Sequence, residues 1–412
     1  MSETTQTFVI VGASLAGAKA AETLRTEGFD GRVVLIGEEP QRPYERPPLS
    51  KEYLRGEKDF DAAAVHPAGF YDEHGIELRT SNLVSAIDPS KRSITLSSGE
   101  EMGYDRLLLA TGAAPRRISV PGGDLEGVHY LRSVKDADAL RHAIGPTAQV
   151  VVIGAGWIGA EVAASARQLG SAVSMVELAA VPLERVLGPE VGAIYRDLHA
   201  SHGVDLHFGV GIEDIVGSAA VEAVRLSDGT VLPASAVVVG VGVAPRVELA
   251  EAAGLALDNG ILVDEHLETN VPGIFAAGDV ANAYHPRYGS RIRLEHWSAA
   301  LNQGPVAARA MLGQEVVYDR IPYFFSDQYD FGMEYRGWAP DFDQVIFRGD
   351  PANGEFLCFW LRHGKLAAAM NANVWDAGDD IEALLQADRP IEASRLANPE
   401  IDLNRLTDAC EH

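Results

Sequence analysis

Two clusters of small residues have the spacing of a turn that can hold a pyrophosphate. Gly12, Ser14 and Gly17 form the first, and Gly154, Gly156 and Gly159 form the second. Each follows a short apolar burst, Phe8 to Val11 and Val150 to Ile153, of the kind that makes a strand buried on both faces. Each precedes an Ala-rich helical segment, running to Arg25 in the first copy and to about Leu169 in the second. A further apolar run then ends on an acid, Val33 to Ile36 with Glu38, and Val173 to Val176 with Glu177. Strand, glycine turn, helix, strand and acid make a βαβ unit in which the unpaired N–H groups of a helix start receive phosphate and the carboxylate takes ribose hydroxyls. Without a ligand the first copy would read as a tight strand-to-helix turn, since Ser14 stands where the fingerprint has its second glycine. The second copy is complete.

The two copies are in register. Gly154 lies 142 positions after Gly12, and Gly159 lies 142 after Gly17. A second pair follows them at an offset of 130, with Leu107-Leu108-Leu109-Ala110-Thr111-Gly112 before Pro115 and Val237-Val238-Val239-Gly240-Val241-Gly242 before Pro245. Ile158 and Gly242 join the second site by the same correspondence. One chain thus carries two dinucleotide-binding units, and two adjacent dinucleotides are put to use by passing a hydride between them.

Composition narrows the class. A formal charge of −25 repels phosphate backbones and anionic membrane surfaces, so nucleic acid and membrane are poor partners. Cys358 and Cys410 are far apart, which leaves no C-x-x-C pair, zinc ribbon or disulfide framework, and the M-S-E-T-T-Q-T start lacks a basic signal region. The reading is a cytoplasmic protein with no metal. His199, His202 and His207 have no carboxylate or cysteine at ligand spacing and are expected on a solvated helix face. Beyond Pro245 come the strand end Gly278-Asp279, then Glu295-His296-Trp297-Ser298 and an Ala-rich helix to about Leu312. From Ile321 the pattern alternates as strands do, with a hairpin around Gly364 and a helical run Asp379 to Ala387, and residues after Asn398 are expected to be a loose tail.

The first fingerprint, the Ala-Thr-Gly turn, the second fingerprint and the Gly-Asp element, in that order, resemble the glutathione-reductase-like flavoproteins. Pro43-Tyr44-Glu45-Arg46-Pro47-Pro48-Leu49-Ser50-Lys51 and Phe324-Phe325-Ser326-Asp327-Gln328-Tyr329 are similar to motifs of NADH-dependent ferredoxin reductases of the putidaredoxin reductase type. The resemblance implies an α/β fold: two Rossmann-like domains plus a C-terminal α+β interface domain. Residues 1–115 and 246–320 would bind FAD, 116–245 would bind NADH, and 321–412 would form the third domain. It gives FAD the first fingerprint with Gly12, Ser14, Gly17, Ala110, Thr111 and Gly112, together with Ala16, Glu38, Lys51, Val84, Arg132, Asp279 and Trp297. NADH takes Gly154, Gly156, Ile158, Gly159, Glu161, Glu177 and Gly242.

Lys51, which the resemblance puts beside the flavin N5, and Glu161, two residues past Gly159 on the first helical turn, are the expected catalytic pair. They would orient the nicotinamide, unless they form only a solvated ion pair. Asp279 could accept a ribitol hydroxyl, or it could cap a helix; Trp297 could face the flavin or the core. The helix opening near Ser298 would aim its positive end at the N1 and O2 edge of the ring. The implied activity is hydride uptake from NADH and release of single electrons to a [2Fe–2S] ferredoxin serving a cytochrome P450 or a Rieske oxygenase. An NADH oxidase or other pyridine-nucleotide flavoenzyme, and an NADH-sensing interaction protein related to apoptosis-inducing factor, stay open at this level. Tyr323 and Phe325 stand where relatives often carry tryptophan. Arg287, Arg291, Arg293 and Arg309 are the expected basic patch for a carrier; oligomeric state is left open.

Overall fold

The computed structural model describes residues 6–406. The chain divides into two compact units, each assembled from three segments. The first contains the chain up to Pro47, Lys58–Ala114 and Val243–Arg320. Its centre is a five-stranded parallel sheet in the spatial order Ile274–Ala276, Arg106–Leu109, Thr7–Val11, Arg32–Ile36, Ile76–Arg79. Val9, Ile10, Val33, Val34, Leu107 and Leu108 are fully buried, as a sheet covered on both faces requires. The chain enters at the middle strand and its two neighbours lie on opposite sides. That strand order makes a switch point, where a crevice opens beyond the carboxyl ends.

Helix Leu15–Thr26 leaves the end of that middle strand and packs on helix Trp297–Met311. Small residues permit the approach: a Cβ on Gly304 would stand 2.4 Å from the Ala16 carbonyl oxygen. A three-stranded antiparallel sheet, Val84–Asp88, Ser93–Leu96 and Glu101–Gly103, completes the site side of this unit.

The second unit contains Pro48–Glu57, Pro115–Gly242 and the chain from Ile321. It repeats the parallel sheet, in the order Asp205–Phe208, Ala172–Glu177, Gln149–Ile153, Ala236–Val239, Val128–Tyr130, with helix Trp157–Gln168 following the middle strand. Its last portion is a five-stranded antiparallel sheet, Tyr323–Gln328, Phe331–Gly337, Lys365–Ala372, Glu355–Arg362, Gln344–Asp350. One face carries Phe356, Trp360 and Met370 against Leu187, Val191 and Tyr195 of helix Glu184–Ser201, and the Trp360 indole donates to the Leu187 carbonyl at 3.0 Å. The other face packs Phe359 and Leu361 on Ile381 and Leu384 of helix Gly378–Ala387.

Three expectations need correction. The segment after Asn398 is not loose as far as the described residues run, because Leu403 and Leu406 are buried and Arg348 donates to the Ile401 carbonyl at 2.6 Å. Glu38 does not close its strand, which ends at Ile36, whereas Glu177 is the final residue of its own. The three histidines do not share a solvated helix face. His199 is completely buried, His202 lies at the helix end, and His207 sits on the strand Asp205–Phe208.

Candidate functional site

Beyond the carboxyl ends of the first sheet lies a cavity of about 380 Å³. Gly12, Ser14, Glu38, Val84, Ala110 and Thr111, all expected at the first site, line it. The turn requires glycine at its head: Gly12 has φ +117°, and a Cβ there would come within 2.0 Å of the Ala110 carbonyl oxygen. Ser14 begins helix Leu15–Thr26 without using its side chain as a cap. Ala16 and Gly17 serve packing: a Cβ on Gly17 would meet the Gly12 carbonyl oxygen at 2.0 Å. Gly112 follows Thr111, whose hydroxyl donates to the Arg246 carbonyl at 2.8 Å.

Sequence reasoning missed six polar residues of the wall: Glu39, Arg46, Asn82, Ser85, Arg246 and Glu248. Arg246 pairs with Glu38 at 2.7 Å. Arg46 pairs with Glu39 at 3.0 Å, and the Tyr44 hydroxyl donates to the same carboxylate at 2.5 Å. Arg46 lies inside the Pro-Tyr-Glu-Arg-Pro-Pro motif, so that motif held a usable signal. A cavity bearing both arginines and carboxylates beside a glycine turn suits a dinucleotide, which offers phosphates to the first and ribose hydroxyls to the second. Asp279 is buried in the turn after strand Ile274–Ala276; no helix starts there, so it is no helix cap. Trp297 is half-buried at the start of its helix. In the same unit the expected basic patch is largely committed. Arg291 donates to the Val263 carbonyl, Arg293 to the Asp279 carbonyl and Glu295, and Arg309 to Glu27.

The second unit holds the second glycine turn. Gly154 has φ +97°, and its Cβ would meet the Gly240 carbonyl oxygen at 2.5 Å; Gly159 closes the helix onto Gly154. A Cβ on Gly156 would point into open space, which leaves the helix start uncovered for an anion. Ile158 is half-buried on that helix, and Gly242 has φ +96°. The Glu177 carboxylate accepts from the Ala155 N–H at 2.8 Å and the Ala179 N–H at 3.1 Å, so the acid is tied to the turn it serves. Glu184 folds back on the same loop, accepting from the Ala180 N–H at 2.9 Å.

Lys51 and Glu161 meet in this unit. Lys51 Nζ lies 3.2 Å from Glu161 Oε2, and both residues are buried, which excludes the solvated ion pair. Glu161 is the fifth residue of helix Trp157–Gln168, one turn deeper than expected. The Ser50 hydroxyl donates to Oε2 at 2.5 Å and the Ser326 hydroxyl to Oε1 at 2.7 Å, so three donors converge on one carboxylate. Lys51 also stands 5.4 Å from the centre of the Phe325 ring. Burial, with the Glu161 charge adding to it, raises the neighbouring Asp327 carboxyl above the usual carboxylate range. Arg132, expected at the first site, is half-buried in this unit before helix Val134–Ala143. Cys358 is fully buried in the antiparallel sheet, its thiol pushed well up by burial; Cys410 lies outside the described residues.

Residues 6–304 match the pyridine nucleotide-disulphide oxidoreductase family model, and residues 323–407 match the reductase C-terminal model. The chain is 38% identical over 405 residues to the 5,5'-dehydrodivanillate O-demethylase ferredoxin reductase subunit of a Sphingobium species, covering 97% of this chain and 98% of that one. It is 40% identical over 403 residues to the anthranilate 1,2-dioxygenase system ferredoxin–NAD(+) reductase component of Burkholderia cepacia, covering 96% and 98%. Among solved structures it superposes on the covalent putidaredoxin reductase–putidaredoxin complex with a TM-score of 0.95, at 35% identity and 98% coverage of both chains.

Proposed function

The chain belongs to the pyridine nucleotide-disulphide oxidoreductase family, among the ferredoxin reductases of the putidaredoxin reductase type, and from that premise we propose its reaction and the residues that serve it. It is an FAD-dependent oxidoreductase that takes a hydride from NADH and delivers electrons singly to a [2Fe–2S] ferredoxin, which in turn serves an oxygenase of the cytochrome P450 or Rieske type. The relatives' names support the partner and the pathway class: an O-demethylase and a dioxygenase system each use such a reductase. A bound flavin supplies the chemistry the polypeptide lacks, accepting an electron pair and returning it one electron at a time.

We assign residues 1–115 and 246–320 to FAD, 116–245 to NADH and 321–412 to the α+β interface domain. The Gly12 turn and the start of helix Leu15–Thr26 would hold the FAD pyrophosphate, Glu38 a ribose, and Asp279 the ribitol. The start of helix Trp157–Gln168 would hold the NADH pyrophosphate and Glu177 the ribose hydroxyls. Lys51 donates and Glu161 accepts hydrogen bonds, which suits them to the two ends of a carboxamide; they would fix the nicotinamide for transfer.

The observation that carries this reading is the buried Lys51–Glu161 pair in the unit that presents the complete glycine turn. A cysteine-based route finds no support among the described residues, since the Cys358 thiol is sealed in a sheet. The reading puts the protein in the cytoplasm; among the described residues no helix is long and apolar enough to cross a membrane. Anaerobic titration tests it. The purified protein should be yellow, bleach with one NADH per flavin, and recover its colour quickly on adding an oxidised [2Fe–2S] ferredoxin. A protein that takes up no FAD, or that bleaches and then ignores every carrier, overturns it.

A further inference from the structure

Glu161 is the end point of a run of buried polar side chains that reaches through the second unit. Ser326 Oγ lies 2.7 Å from Glu161 Oε1, Gln328 Nε2 lies 3.3 Å from Ser326 Oγ, and His199 Nε2 lies 2.9 Å from Gln328 Oε1. The Tyr329 hydroxyl is 3.2 Å from His199 Nδ1, and its ring stacks on His202 at 3.6 Å between centroids, 7° from parallel. Ser326, Gln328 and His199 are each no more than 1% exposed. Burying so many polar groups in a row is unfavourable unless each finds its partner.

The donors can point only one way. A carboxylate accepts and does not donate, so the Ser326 hydrogen goes to Glu161. The Ser326 oxygen then accepts from the Gln328 amide N–H, which turns the Gln328 carbonyl toward His199. That carbonyl requires an N–H at His199 Nε2, leaving Nδ1 of the neutral ring to accept from the Tyr329 phenol. Burial holds His199 neutral, with its pKa lowered to about 4. Tyr329 itself has a left-handed backbone, φ 59°, an unfavourable conformation for a non-glycine residue that turns its ring toward the two histidines. Aligned donors polarise one another, so the last bond in the row is the one reinforced.

We propose that Ser326, Gln328 and His199 are positioning residues for the Glu161–Lys51 pair, a one-way chain of hydrogen bonds that fixes the carboxylate at the angle from which it receives the coenzyme's carboxamide. This rests on the role given to Glu161 above and extends it to residues more than 30 positions away in sequence on two other elements. The chain orients and does not conduct protons, because the Gln328 amide has no ionised form near neutrality.

Gln328→Glu separates positioning from bulk. Ionised, the introduced carboxylate accepts from both neighbours and pulls the Ser326 hydrogen away from Glu161. Protonated, it presents one O–H and one carbonyl, as the native amide does. The charged and titratable groups that meet the row or act on its members are His199 and Tyr195 of helix Glu184–Ser201, His202 just past the end of that helix, Glu161 and Arg167 of helix Trp157–Gln168, Lys51 of the Pro48–Glu57 segment, and Asp327 and Tyr329 next to Gln328 in the chain. In single-turnover mixing of the FAD-loaded protein with NADH, the Q328E variant should reduce its flavin about tenfold more slowly at pH 8, roughly 1.4 kcal/mol in the barrier, and recover as the pH is lowered. The wild type should be flat over the same range, and Gln328→Met should be slow at every pH.

A readout independent of activity is ¹⁵N NMR of the histidines in the holoprotein, with the His199 signal assigned by its loss in His199→Phe. It should show a neutral ring with the proton on Nε2 down to pH 5.5. Flavin reduction at wild-type rates in both Gln328 variants, or a His199 proton on Nδ1, overturns the proposal. A protein that accepts no hydride from NADH overturns the functional reading instead, and the tautomer measurement still judges the chain.

Discussion

On the proposed reading, coenzyme choice falls to Glu177. Both of its oxygens already hold backbone N–H groups of Ala155 and Ala179, which locks the carboxylate at the lip of the second glycine turn. Remaining lone pairs can accept the two adenosine ribose hydroxyls of NADH. A 2′-phosphate in their place would bring two like charges to about 4 Å, which costs roughly 4 kcal/mol at an effective dielectric near 20. Glu177 is half-exposed, and salt and solvent would reduce that to about 2 kcal/mol, or roughly 30-fold in kcat/KM. Glu184 adds a second carboxylate folded onto the same loop, while Arg185 is exposed. We therefore expect NADH to be preferred over NADPH by at least that factor. Glu177→Gln, which keeps the shape and one loop acceptor while removing the charge, should narrow the preference mainly by improving NADPH use. Glu177→Ala, which also releases the Ala155 and Ala179 N–H groups, should raise KM for NADH as well. Steady-state kinetics with both coenzymes at fixed ionic strength decides it. Equal use of NADPH by the wild type would falsify the assignment and transfer the site to Arg185.

Lys51→Ala and Glu161→Gln should both slow flavin reduction in single-turnover mixing with NADH and leave FAD content unchanged; unchanged rates would return the pair to a purely structural role. Replacing Cys358 by alanine and Cys410 by serine should leave ferricyanide turnover intact. Because Cys358 is fully buried, the same variant should lose about 1–2 kcal/mol of stability, seen as a lower thermal midpoint. His199, held near a pKa of about 4 by burial, takes up its proton at about 6.5 once unfolded, so the unfolded state binds more protons between those values. Stability should accordingly be full above pH 6.5 and fall by up to about 3 kcal/mol as the pH drops to 4. Urea unfolding of wild type against His199→Phe over that range should show the variant with the shallower fall; parallel curves would refute it.

The repeated βαβ units were legible because their constraints are local. A positive-φ glycine such as Gly12 or Gly154, an apolar strand before it and an alanine-rich helix after it lie within a few residues of one another. Asp279 and Glu177 were visible for the same reason, each being the residue that ends or follows a short buried strand. What escaped depends on distance in sequence. His199 reads as one of three exposed histidines until Gln328, 129 positions away, is brought against it. Arg246 gives no sign of lining the first cavity, because its partner Glu38 is on a different segment of the unit. Ser50 and Ser326 look like ordinary motif serines; only the fold reveals that both hydroxyls converge on Glu161. The buried tail residues Leu403 and Leu406 were misread because two leucines carry no periodicity to count.

The three-segment make-up of each unit sets a timetable for biosynthesis. The parallel sheet of the first unit lacks its edge strand until Ile274–Ala276 has been made, and its packing helix ends only at Met311. In the second unit the Glu161 carboxylate waits for Ser326, and the apolar face of helix Glu184–Ser201 waits for Trp360. At about 5–20 residues per second, a ribosome takes tens of seconds to make this chain, and neither unit can close before the last quarter emerges. Strand Arg106–Leu109, apolar and already paired with Thr7–Val11 on one side, therefore keeps its other side unpaired until Ile274–Ala276 has been made. Nascent-chain truncations should remain protease-sensitive in both halves until residues past 320 clear the exit tunnel. Excising residues 116–245 as a coenzyme-binding fragment would leave behind Ser50, Lys51 and Ser326, and with them every polar side chain described here as donating to Glu161.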